Sequence, residues 1–216
     1  MTDETIEKFV ILILGWLLGL LGPAVVDSIK RQRENARGRV AILSELGELA
    51  GVLAIAAYGV RMHLGTVDRK FLEWLKSTLE LYATTKNLHE FISGLTTQLS
   101  LADEILLAVN QSNAADAGTG KMLQHYPVPL LDARVSALWS FDTSFQRQLL
   151  EIRRNVGILD DVVDRSRKYF DMTFTKLEGD NYRLVNENLT QTYELYAHRA
   201  ILIVESIKAL KGTSDR

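Results

Sequence analysis

Apolar and polar positions divide this chain into two regimes. From Phe9 to Val26 the run FVILILGWLLGLLGPAVV holds no charge and no polar stripe, whereas from Ser28 onward apolar residues recur at alternating steps of three and four. A helix rising ~1.5 Å per residue over the first run nearly matches a ~30 Å hydrocarbon core, so 9–26 is expected to be a transmembrane helix. The leader is acidic (Asp3, Glu4, Glu7 against Lys8), unlike the basic leader of a cleaved signal. Pro23 is compatible with a membrane helix near its end.

The second regime predicts helices over about 28–63, 68–111, 129–177 and 182–211. In the first, Ile42, Leu46, Leu49, Leu53, Ala56 and Val60 share a face. It is expected to continue from the membrane helix, with a bend at Gly22-Pro23. Its small residues, Gly47, Ala50, Gly51 and Ala54 among them, predict an unusually close helix neighbour. In the second helix the ladder passes through Thr78, Leu81, Leu88, Leu95, Leu106 and Val109, with a weak spot at 83–87. The third carries Leu138, Leu149, Ile152, Val156 and Leu159, with Asp142 as a polar exception, and the fourth Val185, Leu189, Tyr196, Ile203 and Leu210. The fold class is therefore all-α: a single N-terminal transmembrane helix followed by an elongated antiparallel four-helix bundle packed like a coiled coil. The domains read as 1–8, a short extracytoplasmic N-terminus; 9–26, the membrane helix; 27–211, the cytoplasmic bundle; and 212–216, a frayed tail. In an up-down-up-down order, the loop 112–127 falls at the membrane-proximal end with the C-terminus, placing Lys121, Met122, Leu123, His125 and Tyr126 at the lipid interface. The turns at Gly65 and Gly179 fall at the opposite end.

Charge adds an orientation. Lys30, Arg31, Arg33, Arg37 and Arg39 follow the apolar run, and basic flanks stay on the cytoplasmic side. The N-terminus is thus expected outside and the bundle in the cytoplasm beneath the plasma (inner) membrane, with these five residues against lipid headgroups. Membrane lipids are accordingly one class of partner. Beyond residue 27 basic and acidic residues balance, which lacks the footprint of a nucleic-acid binder. Gly15 and Gly19 form a GxxxG step, a spacing that lets two membrane helices cross closely and makes a homo-oligomer one option. The chain has no cysteine, so no disulfide or thiolate chemistry arises.

Candidate chemistry is thin. Asp160-Asp161-Val162-Val163-Asp164 resembles the aspartate-rich DDxxD motif by which isoprenoid synthases hold magnesium and diphosphate, and the resemblance implies Asp160, Asp161 and Asp164 as metal ligands. It covers five residues, and the facing second acidic motif is missing. The alternative is a solvated acidic patch balanced by Arg153, Arg154, Arg165 and Arg167. Gly118-Thr119-Gly120-Lys121 lacks the first glycine, the final Ser/Thr and the strand of a P-loop. His89-Glu90 is followed by Ser93 where a second zinc ligand belongs. No cofactor and no catalytic residue is expected. The function read from this pattern is a membrane-anchored helical-bundle binding protein: a scaffold, adaptor or regulator with a protein partner of unknown identity. The alternative is a membrane-active effector or its neutralising partner, and more remotely a magnesium-dependent enzyme.

Overall fold

The structure, a computed structural model, describes residues 3–82, 86–115, 119–176 and 180–214; at 3–10, 17–18, 20–24, 86, 136–137, 139 and 214 it describes the backbone alone. The protein is all-α, with no strand among the described residues. Two units are distinguished, Met1–Ile42 and Leu43–Arg216, and helix α1 (Asp3–His63) runs unbroken through both.

In the first unit the described apolar side chains as far as Ile29 are exposed. Ile11, Leu12 and Trp16 are 63%, 70% and 65% exposed, and Val25, Val26 and Ile29 are exposed as well. Among the described residues α1 is the one helix long and apolar enough to cross a membrane. Its segment Val25–His63 contains an 18-residue stretch with a mean hydropathy of 1.8, of which 44% is buried. Its buried part includes Leu46, Leu53, Ala54 and Val60, where apolarity serves the bundle core.

The second unit is a helical bundle. At its first turn Gly65 adopts a positive φ of 66°, reversing the chain at low steric cost. Asp68 then accepts from the Phe71 N–H at 2.7 Å and caps α2 (Arg69–Tyr82). Helix α2 runs antiparallel to α1: the Arg61 guanidinium lies 4.5 Å over the Phe71 ring, and at the other end Tyr82 lies against Gly47, 3.3 Å from where a β-carbon would stand. The small-residue face on α1 thus admits Tyr82.

The long second helix expected over 68–111 is instead three pieces. After α2 come α3 (Lys86–Leu99) and α4 (Asp103–Ser112); residues 83–85 lie outside the described residues. Helix α3 doubles back along α1, with Tyr58 edge-on to Phe91 at 5.6 Å and hydrogen-bonded to Gln98. The break after α3 has a clear cause. Arg69 donates to the carbonyls of Leu99 and Leu101 at 2.6 and 2.5 Å and to Asp103 at 2.5 Å, satisfying carbonyls that a helix would have used. Helix α4 then lies at the Gly65 end, where buried Asn110 donates to the Val67 carbonyl at 2.9 Å.

The third predicted helix is also divided, into α5 (Pro129–Ala133), a 3₁₀ turn (Val135–Ser140) and α6 (Thr143–Met172). Asp142 is the N-cap of α6, accepting from the Phe145 N–H at 2.9 Å. Helix α7 (Asn181–Ser214) pairs with α6 and includes Gly212 to Ser214, expected to fray. It closes the core against α2, where the Trp74 indole donates to Glu205 at 2.6 Å and the Lys208 ammonium to Thr78 at 3.2 Å.

The loop 112–127 does not cap the end of the bundle opposite Gly65. The Ala115 N–H donates to the His63 carbonyl, so the loop starts at the Gly65 end. It then runs back along the helices to Glu45, which receives the N–H groups of Leu130 and Leu131 at 2.8 and 2.9 Å. A turn expected to lie at the lipid interface is therefore a strap on the bundle, with Leu123 only 3% exposed. The α2–α3 hairpin accounts for this: it uses up the return path that a single long helix would have taken. Gly179 lies outside the described residues.

Candidate functional site

Residues 119–128 form neither helix nor strand, so their peptide groups need other partners. Tyr193, buried on α7, supplies one: its hydroxyl accepts from the Lys121 N–H at 2.6 Å and donates to the Lys121 carbonyl at 2.8 Å. Burial raises the Tyr193 hydroxyl above its ordinary value, so it stays a neutral donor and acceptor; the Lys121 and Ser166 hydrogen bonds act the other way. Further along, Pro127 and Pro129, each with a fixed φ and no N–H to satisfy, flank buried Val128. Pro129 opens α5, leaving the next two amides to Glu45 as a capping carboxylate.

His125 fastens the middle of the strap to α6. Its Nδ1 lies 2.9 Å from Asp160 Oδ1 and its Nε2 3.0 Å from Asp164 Oδ1. A neutral imidazole carries one N–H, so both contacts are hydrogen bonds only for the doubly protonated ring. The three side chains are 34%, 39% and 59% exposed, which limits each ion pair to about 0–1 kcal/mol. The DDxxD segment is thus matched by a histidine rather than by its neighbouring arginines; Arg153 pairs with Asp132 at 2.7 Å, and Asp161 is exposed. Among the described residues no group of three or more His, Asp or Glu side chains is placed to hold a metal ion.

Under the strap lies a cavity of about 300 Å³, walled by Ile55, Ala56 and Val60 of α1, by Leu123, and by Tyr126 and Tyr196. The two tyrosines are hydrogen-bonded to each other, and burial, followed by the charge of Tyr126, holds Tyr196 well above the ordinary tyrosine value. Lys121 also lines the cavity. Its ammonium lies beside Gly59 of α1, 3.6 Å from where a β-carbon would stand, and makes no ion pair among the described residues.

His63, edge-on to Tyr193 at 5.3 Å, is held below the ordinary histidine value of 6.5 by burial and then by the Lys121 charge, with the Thr119 backbone acting the other way. The unfolded chain therefore takes up this proton first. The His63 contribution to stability is complete above pH 6.5 and is lost as pH falls from there through its folded-state value. We expect His63→Gln to flatten the pH dependence of unfolding below pH 6.5 and to leave it unchanged above; parallel curves across the whole range would show that His63 carries none of it.

A second, larger concavity of about 650 Å³ opens between α1, α2 and α3, with Gly51, Val52, Ile55, Leu88 and Phe91 in its walls. The Tyr82 hydroxyl beside it is buried without a hydrogen-bond partner among the described residues.

The membrane-facing candidates lie on α1. Gly15 and Gly19 have nothing within 4 Å of an added β-carbon. Lys30, Arg31, Arg33 and Arg37 are exposed and Arg39 is half-buried. The strap residues that bring the site together, Lys121 and His125, and Tyr193 and Glu45 that hold them, were not legible as a set. The one local sign is Pro127-Val128-Pro129, a pair of helix-breaking prolines between helical patterns. Compared with protein-family models, with curated proteins and with solved structures, the chain matches none.

Proposed function

We propose that this chain is a single-pass membrane protein whose cytoplasmic bundle acts by binding a protein partner at the membrane surface. The observation that carries the reading is the exposed apolar side of α1: Ile11 to Leu14, Trp16, Val25, Val26 and Ile29 all face outward. An uncovered apolar surface of this kind is stable in lipid and unfavourable in water. The exposed basic residues from Lys30 to Arg37 follow at once, which supports a cytoplasmic bundle by the positive-inside tendency and headgroup contact at the plasma membrane. The open groove between α1, α2 and α3 is apolar and large enough for the side chains of a partner, and the open space at Gly15 and Gly19 leaves room for a second copy.

The test uses the absence of native cysteine. Met122→Cys places one thiol at an exposed position of the strap, 66% accessible. In intact cells a membrane-impermeant maleimide is expected to leave it unlabelled until the membrane is opened, and the protein is expected to stay with membranes through alkaline carbonate washing. Labelling of intact cells overturns the orientation; release by carbonate overturns the anchor.

A further inference from the structure

We propose that the cavity beneath the strap binds a small amphipathic anion, a carboxylate on a compact apolar body, with the Lys121 ammonium taking the charge. The walls specify the body. Ile55, Ala56 and Val60 of α1 and Leu123 of the strap present hydrocarbon, and Tyr126 and Tyr196 present ring faces and hydroxyl groups. Besides Lys121, the polar side chains of the lining are Gln124 and the two tyrosines, one amide and two hydroxyls, fewer than the array of donors that a sugar or a phosphate dianion needs. The volume of about 300 Å³ sits at the lower end for small-molecule sites, which selects a single ring system or a short chain.

The charge is specified separately. Lys121 is half-buried and has no carboxylate partner among the described residues; Asp160 and Asp164 are occupied by His125. Tyr193 holds the Lys121 peptide group on both sides, so the side chain is delivered from a fixed backbone toward Gly59, where the missing side chain leaves room for the amine. A cation set against apolar walls attracts an anion more strongly than one in open water.

The structure includes its own reporter. The positive charge of Lys121 is one of the causes that hold His63 below its ordinary value, so an anion seated on Lys121 must relieve that effect. The other groups around the reporter are the Tyr193 ring, which carries no charge while its hydroxyl stays raised, and the Thr119 backbone.

The experiment uses the full chain in phosphatidylcholine nanodiscs, with naphthalene-2-carboxylate as probe and naphthalene-2-methanol as its uncharged counterpart. His63 is followed by NMR titration and affinity by calorimetry. Expected are saturable binding of the carboxylate, an upward shift of the His63 titration midpoint at saturation, and neither effect with the alcohol. Lys121→Met is expected to weaken the carboxylate by about tenfold or more, in keeping with the loss of one charge-assisted contact, and to raise the His63 midpoint without any ligand. Lys70→Met, at an exposed position on α2, should change neither. The Tyr193 bonds involve only the Lys121 backbone, so the variant keeps the strap in place, and unchanged amide shifts along 122–128 verify that. Equal responses to acid and alcohol, a His63 midpoint that does not move with the acid, or undiminished affinity in Lys121→Met each overturn the proposal. The outcome does not depend on which way α1 crosses the membrane, so it can fail while the anchored-module reading stands, and the reverse.

Discussion

Leu149→Ala is expected to lower the stability of the bundle by about 2–5 kcal/mol, the range for truncating a fully enclosed leucine. Leu149 is 0% exposed on the face of α6 that also buries Phe145, Ile152 and Val156, and α7 packs along that face. Removing its isopropyl end leaves a hole between two long helices, which cannot close without shifting both. Domains of this size have about 5–15 kcal/mol in total, so the single change removes a large share. Leu150, the next residue and 47% exposed, supplies the control: Leu150→Ala should stay within about 0.5 kcal/mol. Urea unfolding of the full chain in nanodiscs, followed by tryptophan fluorescence, reads both. If the two variants unfold alike, the buried face of α6 is not where Leu149 places it.

Replacing glycine by alanine is expected to have opposite signs at two positions. At Gly65 the backbone is left-handed, φ 66°, and a new β-carbon would stand 2.9 Å from that of Ala114. The conformation alone costs about 1–2 kcal/mol for a residue with a side chain. The contact adds an overpacking cost of up to about 1–3 kcal/mol, because Ala114 is held by the Gln111 carbonyl and, through Ala115, by His63. At Gly94, inside α3, nothing lies within 4 Å of an added β-carbon. Gly94→Ala should therefore stabilise by about 0.5–1 kcal/mol through helix propensity and a less flexible unfolded chain. Amide hydrogen exchange separates the two locally: faster exchange is expected at 66–70 and 110–115 in Gly65→Ala, and slower exchange across α3 in Gly94→Ala. A Gly65→Ala protein as stable as the parent would mean that this turn relaxes without resistance.

Where one apolar period runs without interruption, the buried faces could be read directly. On α1 the predicted Ile42, Leu46, Leu49, Leu53 and Val60 are buried and Ala56 is half-buried, and on α7 Val185, Leu189, Tyr196, Ile203 and Leu210 are buried. In both cases a single neighbour-facing stripe outweighs local preference. Over 68–111 the same reading produced one helix, and there it failed. Leu75 and Leu79, expected to widen the stripe early on, are buried, whereas Leu81 and Val109 of the ladder are exposed; the chain breaks after α2 and again after α3, and each break resets the register beyond it. Asp142 shows how a local sign can be misread. In the apolar ladder it reads as a polar exception, and in the fold it is the capping residue that starts α6; an Asp just before the first helical residue is itself a helix-start signal.

The amino-acid sequence by itself determined the helical class, the apolar run from Phe9 to Val26, the basic flank after it and most of the core, because these depend on composition and on a period that one segment carries alone. The tertiary structure decided where the chain breaks and what the loop does. Arg69 ends α3 by reaching carbonyls thirty and more residues away, and Tyr193 holds the strap across seventy-two positions. His125 meets Asp160 and Asp164 across thirty-five and thirty-nine. Each of these contacts joins a side chain with no periodic signature to a backbone group or carboxylate far along the chain, so neither end announces the other until the helices are packed.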